Sequence, residues 1–340
     1  MAKCGWKESG TIMRRWQVRR AGGLAALAPL FSLAAQAQPV IRVNVNLVRV
    51  VATVKNQSGE LVKALQKEDF QISDNGAPQQ IAVFEKQTDQ PLSVALLVDT
   101  SGSTAKELKY EVDSATRFLK ALLSEGNPLD MVALYSFNWQ ITRNNYFTHN
   151  HASLAASLKT FHGEAGTSLY DAIYLASLDL EEREGRKVII VVTDGGDTTS
   201  AKNLKQALES AQLADAVIYP VVVVPITNDA GRNIGGENAL TFMAESTGGR
   251  TFLPTLGADL DRVFTDIIDE LRTQYLLAFY PKNVPLTKDR FHKLEVRVTG
   301  PDLRVSARNG YYGEAEDAGG TPGARISVTP EGSRKKRQEK

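Results

Sequence analysis

Three uninterrupted apolar runs, at residues 94–98, 188–192 and 217–224, constrain this chain more than any other feature. A strand with one face in water alternates apolar and polar residues. A run without polar interruption is a strand covered on both faces, as in a parallel sheet held between helices. Helical periodicity separates the runs. Leu108, Val112, Ala115, Leu119 and Leu122 form one apolar stripe, and Leu260, Val263, Phe264, Ile267, Ile268 and Leu271 form another. Strands alternating with helices imply an α/β fold with a doubly wound, mostly parallel sheet flanked by helices. Pro220 lies inside the third run and has no N–H to donate, so that strand is expected at an edge or with a bulge.

The flanks read differently. Residues 41–54 alternate apolar positions at 43, 45 and 47 and then at 48, 50, 52 and 54, a strand whose phase slips once, as a bulge causes. Residues 70–72 and 81–84 are further strands around the turn Asp74-Asn75-Gly76. After Arg272 the alternation returns, at Leu294, Val296 and Val298 and again at Leu303, Val305 and Ala307. Neither terminal segment has enough strands to be stable alone. The expectation is therefore one smaller β-sandwich-like module made from residues 40–88 and 273–313, with the α/β domain, residues 91–272, inserted between them. Residues 314–340 are rich in Gly, Pro and charge and are expected to be a disordered tail.

The N-terminus reads as an address. Arg14, Arg15, Arg19 and Arg20 precede an apolar stretch at residues 21–33, and Ala35-Gln36-Ala37 is a small-x-small cleavage site. Residues 1–37 are thus expected to be a signal peptide cut after Ala37, from a start at Met1 or Met13. Arg14-Arg15 resembles a twin-arginine signal, but Gln17 stands where such a signal has a large apolar residue, so the general or the twin-arginine route is left open. The stretch is too short to span a bilayer comfortably. The mature protein is expected in the periplasm or outside the cell, without a stable membrane span.

Composition narrows the function classes. Six of the 40 basic residues and one of the 39 acidic residues lie in residues 1–37, leaving 34 and 38 in the remainder, so no basic excess invites nucleic acid. Cys4 is the single cysteine of the chain, which excludes a disulfide framework and a cysteine zinc site. His149 and His151 lack an acid or third histidine at a useful spacing and are expected to be a solvated pair.

The chemistry collects at strand ends. The first apolar run ends in Asp99-Thr100-Ser101-Gly102-Ser103, Gly166-Thr167 precedes a helix at 169–181, and the second run ends in Thr193-Asp194-Gly195. These segments should meet at the carboxyl edge of the sheet, where open α/β sheets bind ligands. Asp99, Ser101, Ser103, Thr167 and Asp194 offer two carboxylates and three hydroxyls. Such hard oxygen donors suit Mg²⁺, with Mn²⁺ or Ca²⁺ as alternatives, rather than zinc.

This ordered set resembles the metal-ion-dependent adhesion site of the von Willebrand factor type A family, whose pattern is Asp-x-Ser-x-Ser followed by a loop Thr and a loop Asp. The resemblance spans about residues 91–272 and includes the strand at 131–138. Residues 65–70, the Asp-Asn-Gly turn and Asn309-Gly310-Tyr311-Tyr312 further resemble the secreted acidobacterial-type members of that family. The resemblance implies that Ser101, Ser103 and Thr167 bind one divalent cation directly, that Asp99 and Asp194 act often through water, and that a protein partner supplies an Asp or Glu carboxylate.

The expected function is non-enzymatic, cation-dependent protein recognition or adhesion. One alternative is a scaffold or assembly factor of a cell-envelope complex in which the ion is only structural. Another is a Mg²⁺-dependent hydrolase, but a haloacid-dehalogenase-type phosphatase needs a second Asp where Ser101 stands, and no Gly-x-Ser-x-Gly elbow or phosphate-binding glycine loop occurs. Asp197 is expected to be a surface loop residue. Residues 229–237 are expected to form a long loop, and Trp139 and Tyr146 to pack against the sheet.

Overall fold

The computed structural model describes residues 47–86, 90–104, 107–223, 233–255, 258–285, 290–300 and 302–313. The signal segment, the bulge expected near residue 47, the tail and residues 229–232 of the expected loop lie outside the described residues or at their margin. Among the described residues, no helix is long and apolar enough to cross a membrane.

Residues 48–86 supply β1 (Val48–Lys55), β2 (Phe70–Asp74), β3 (Ala77–Gln79) and β4 (Ile81–Lys86). The α/β region follows with β5 (Leu92–Asp99), α1 (Leu108–Glu125), β6 (Met131–Phe137), β7 (Ile141–Thr148), α2 (His151–Leu158), α3 (Leu169–Glu181), β8 (Arg186–Thr193), α4 (Leu204–Leu213), β9 (Ala216–Val222), α5 (Ile234–Thr247) and α6 (Ala258–Thr273). The chain then returns to strands: β10 (Tyr275–Phe279), β11 (Phe291–Val298), β12 (Arg304–Ala307) and β13 (Gly310–Tyr312).

The central sheet has the order β7-β6-β5-β8-β9. β5 pairs in parallel with β6 and β8, β8 with β9, and only β7 runs antiparallel. Every residue of β5 and β9 is buried, the physical meaning of their unbroken apolar runs. β9 is the edge strand, and there Pro220 costs the ladder nothing; its carbonyl accepts the Phe252 N–H at 2.8 Å. Side chains of α1, α2 and α6 cover one face and those of α3, α4 and α5 the other. Phe118 of α1 stacks on Phe264 of α6 at 4.7 Å between centroids, both fully buried. Burying each such side chain contributes about 1.5–3 kcal/mol.

The remaining strands form two four-stranded sheets, β12-β1-β10-β4 and β13-β11-β2-β3. Each combines strands from before and after the α/β region: β10 pairs antiparallel with both β1 and β4, and β11 with β2. Their inward residues, among them Val50, Val54, Ile72, Leu277, Phe279 and Leu294, share one core. The Asp-Asn-Gly turn joins β2 to β3, with Asn75 and Gly76 at φ 47° and 82°, the conformation a two-residue hairpin loop requires. β4 does not continue that hairpin; it crosses to the other sheet.

Asp74, His292 and Tyr311 form a buried polar cluster in this core. The Tyr311 hydroxyl donates to Asp74 Oδ2 at 2.7 Å, and His292 Nδ1 lies 3.1 Å from Asp74 Oδ1. The cluster joins β2, β11 and β13, and burial together with the Asp74 carboxylate pushes the Tyr311 hydroxyl well above its ordinary pKa.

Candidate metal centre

The site begins where β5 ends. Asp99 is fully buried, and both its carboxylate oxygens are occupied from within the chain. Oδ1 accepts the Ser101 N–H at 2.8 Å, and Oδ2 accepts the Thr193 hydroxyl at 2.7 Å. Thr193 closes β8 and in turn accepts the Gly195 N–H at 3.1 Å. A relay of hydrogen bonds therefore ties the ends of the two central strands together. Thr104 folds the next turn back, its hydroxyl donating to the Asp99 and Ser101 carbonyls at 3.1 Å each.

The serine hydroxyls follow this anchor, and that of Ser101 also acts on the Asp99 carboxylate. Ser101 Oγ and Ser103 Oγ lie 2.9 Å apart; Ser101 is buried and Ser103 exposed, so the pair leads from the core to the surface. The loop before α3 is drawn in by a parallel bridge between Ser101 and Glu164 and by the Glu164 N–H on the Thr100 carbonyl at 2.8 Å. Thr167, buried, is stitched to the loop after Asp194. Its N–H donates to Thr198 Oγ1 at 2.9 Å, and its carbonyl accepts the Thr198 and Thr199 N–H groups at 2.8 and 3.1 Å.

Asp194 is half-buried, and its Oδ1 accepts the Gly196 N–H at 3.3 Å. Gly195 holds this turn at φ 92°, and Gly236 at the start of α5 lies so close to the Gly195 carbonyl that a Cβ there would stand 1.5 Å from it. Two glycines thus let the Asp194 loop pack on the first turn of α5. Residues 234–237, read from the sequence as loop, belong to that helix.

The five expected residues therefore stand on three segments that the hydrogen bonds hold together at one sheet edge. Among the described residues, no three His, Cys, Asp or Glu side chains stand together as a metal cluster, so a cation at this edge has to draw on the hydroxyls. Burial pushes the Asp99 carboxyl up from 3.8 to about 6, against the opposing bonds from Thr193 and Ser101 and with a further push from Asp194.

Glu111 was not singled out from the sequence. It lies on α1, almost fully buried, and neither carboxylate oxygen has a hydrogen-bond partner. Burial raises its pKa well above the usual value, and the carboxylates of Asp99, Glu107 and Asp194 raise it further. The signal was present: Glu111 stands three residues after Leu108 and four before Ala115, on the flank of the apolar stripe. An unpaired acid there stays protonated unless a cation comes near it. Oxygen-only donors around the buried Asp99 and the half-buried Asp194, with the unpartnered Glu111 acting on the same electrostatics, fit a hard divalent cation.

The rim differs from expectation. Trp139 and Tyr146 do not pack against the sheet; they are 59% and 71% exposed. Trp139 stands beside Gly166 and donates from its indole to Glu164 Oε2 at 3.3 Å, while Tyr146 stacks under the Arg143 guanidinium. Trp139 lies in the short connection between β6 and β7, outside the sheet, and its backbone N–H donates to the Ala165 carbonyl at 3.3 Å. Asp197 is only half-buried, but it is not idle: its Oδ1 accepts the Tyr170 N–H at 3.3 Å and so fastens the start of α3.

Residues 93–255 match the family model of the von Willebrand factor type A domain. Among solved structures, the chain is similar to the vWF domain of the type V pili tip protein Mfa5 from Porphyromonas gingivalis, at 16% identity over 53% of this chain and 94% of that one, with a TM-score of 0.45. It is similar to a von Willebrand factor type A protein from Catenulispora acidiphila at 10% identity, over 78% of this chain and 72% of that one, with a TM-score of 0.47. It is also similar to the pilus adhesin SpaC from Lactobacillus rhamnosus GG at 12% identity, over 72% and 47% of the two chains, with a TM-score of 0.45. No curated protein sequence matches the chain.

Proposed function

We propose that the von Willebrand factor type A domain at residues 93–255 holds one divalent cation, Mg²⁺ foremost, and that the chain is an exported, non-enzymatic binding protein whose protein ligand presents an Asp or Glu carboxylate. Ser101, Ser103 and Thr167 would hold the ion directly, and Asp99 and Asp194 would set its charge and orient water. Bound there, the ion would supply an electrophilic position for a carboxylate oxygen of the partner. Export rests on the N-terminal signal pattern and the recognition role on the outward-facing end of the site.

One observation supports the reading: the hydroxyls of buried Ser101 and exposed Ser103 lie 2.9 Å apart, next in the chain to a buried Asp99 whose own oxygens are already bonded. In that arrangement the carboxylate fixes the loop and supplies charge, while the neutral hydroxyls are left for an ion. Neutral ligands keep a cation electrophilic enough to take an external carboxylate. The exposed Trp139, with Glu164 and His162 beside it, adds an amphipathic rim of the kind protein interfaces use.

The test is calorimetric. Mg²⁺, Mn²⁺ and Ca²⁺ are titrated into the wild-type chain and Asp99→Ala, and thermal unfolding is followed. An ion at one hundred times its dissociation constant adds about 2.7 kcal/mol to folding. That gain is expected in the wild type and not in the variant. Capture of a partner that survives both EDTA and Asp99→Ala would refute recognition through the ion and leave the scaffold role.

A further inference from the structure

A second site lies at the opposite edge of the central sheet. The amino ends of β5, β8 and β9 face β1 and β10 across a cavity of about 540 Å³. This is within the size range of small-molecule sites, about 300–1,000 Å³. Five cations line it, Arg49, Arg183, Arg186, Lys187 and Arg308, against two acids, Glu184 and Asp215.

The bases are poorly neutralised. Among the described residues, the one ion pair they make is Arg308 with Asp215. Arg49 donates to the Gln90 side chain, Arg183 to Ser93 Oγ at 3.1 Å and Lys187 to the Glu181 carbonyl at 3.0 Å, all neutral acceptors. Arg186, 6% exposed, donates to the Leu271 carbonyl and Gln274 Oε1, and the Asp130 carboxylate acts on it without an ion pair among the described residues. The Nε–H groups of Arg186 and Arg308 are buried with no acceptor at all. Burial lowers the Lys187 pKa; Asp215 and Glu181 act on it as counter-charges, and Arg49 as a weaker like charge. A buried guanidinium with incomplete hydrogen bonding is unfavourable, and four arginines and a lysine lining one cavity with two acids leave it an excess of positive charge.

Guanidinium forks match the planar or tetrahedral oxygens of carboxylates and phosphates, and the remaining wall includes Val51, Val217 and Leu276. We propose that this cavity binds a small organic anion, its carboxylate or phosphate group among the arginines and its apolar body against those side chains. The site is separate from the cation edge and does not depend on it.

The experiment is isothermal titration of the full chain in EDTA at constant ionic strength, with inorganic phosphate and with tricarballylate as probes. The variants are Arg49→Gln and Arg183→Gln, chosen because both residues are half-exposed, whereas Arg186 is structurally buried. Saturable one-to-one binding of at least one probe is expected, weakened about tenfold or more by either variant. Asp99→Ala should bind as the wild type does. Ligand-free Arg49→Gln should melt no lower than wild type, because a charge leaves an under-neutralised group. Phosphate binding alone would assign a phosphate-bearing ligand, and tricarballylate binding alone a carboxylate. The proposal is overturned if neither probe saturates by roughly 10 mM, or if both variants bind like the wild type.

Discussion

Replacing Asp99 by Asn tests the electrostatics of the sheet edge directly. In the cation-free protein, burial raises the Asp99 carboxyl from 3.8 to about 6. At about 1.4 kcal/mol per pH unit, that rise is worth about 3 kcal/mol. The sign follows from proton linkage. The folded state holds this proton more tightly than the unfolded chain, so the contribution is most favourable below pH 3.8 and is lost as pH rises through about 6. Asp99→Asn removes the ionisation. It keeps an acceptor for the Ser101 N–H but turns a donor towards Thr193 Oγ1, which loses its own acceptor at a cost of about 1 kcal/mol. In EDTA at about pH 8 the variant should therefore be about 2 kcal/mol more stable than wild type, and near pH 4 slightly less stable. Urea denaturation followed by circular dichroism across that range gives the difference curve. With saturating Mg²⁺ the order should reverse, because only the wild type gains from the ion. A difference curve flat in pH would show that Asp99 is not the strained carboxylate described here.

Glu111→Met should also stabilise the chain in EDTA and reduce the melting-temperature gain on adding Mg²⁺, since it removes a buried polar group with no partner; an unchanged Mg²⁺ response would place Glu111 outside the electrostatics of the site. Tyr311→Phe should destabilise by about 1–3 kcal/mol in urea, by stripping the hydroxyl from the buried Asp74 carboxylate; a loss below about 0.5 kcal/mol would mean that His292 alone satisfies Asp74.

Much of the central domain was legible because burial on both faces leaves a direct trace in sequence. The runs at 94–98 and 188–192 fall within β5 and β8, and the stripe residues of α1 and α6 lie in one core, where Phe118, beside the α1 stripe, stacks on Phe264. Pro220 likewise announced an edge, since a missing N–H is a local fact with a fixed consequence. The candidate site was legible for a related reason. Asp99, Ser101 and Ser103 are neighbours in the chain, and a strand end followed by polar residues marks a carboxyl edge without knowledge of the partners.

Other features depended on what lies across space. Glu111 reads as one more helical acid until α1 is laid against β5 and its carboxylate is found without a partner. Trp139 is expected against the sheet but lies in the turn between β6 and β7, where its side chain is exposed. β4 looks like the second arm of the hairpin at Asn75-Gly76, but β3 takes that role and β4 pairs with β10, about two hundred residues on in sequence. The basic cavity gathers Arg49, Arg186 and Arg308 from three distant segments, none of them notable alone. The sequence by itself determined the elements, their covered faces and the order of oxygen donors, because periodicity and strand ends are local properties. Only the tertiary structure decided which charges go unpaired, since pairing and desolvation depend on neighbours that no local pattern specifies.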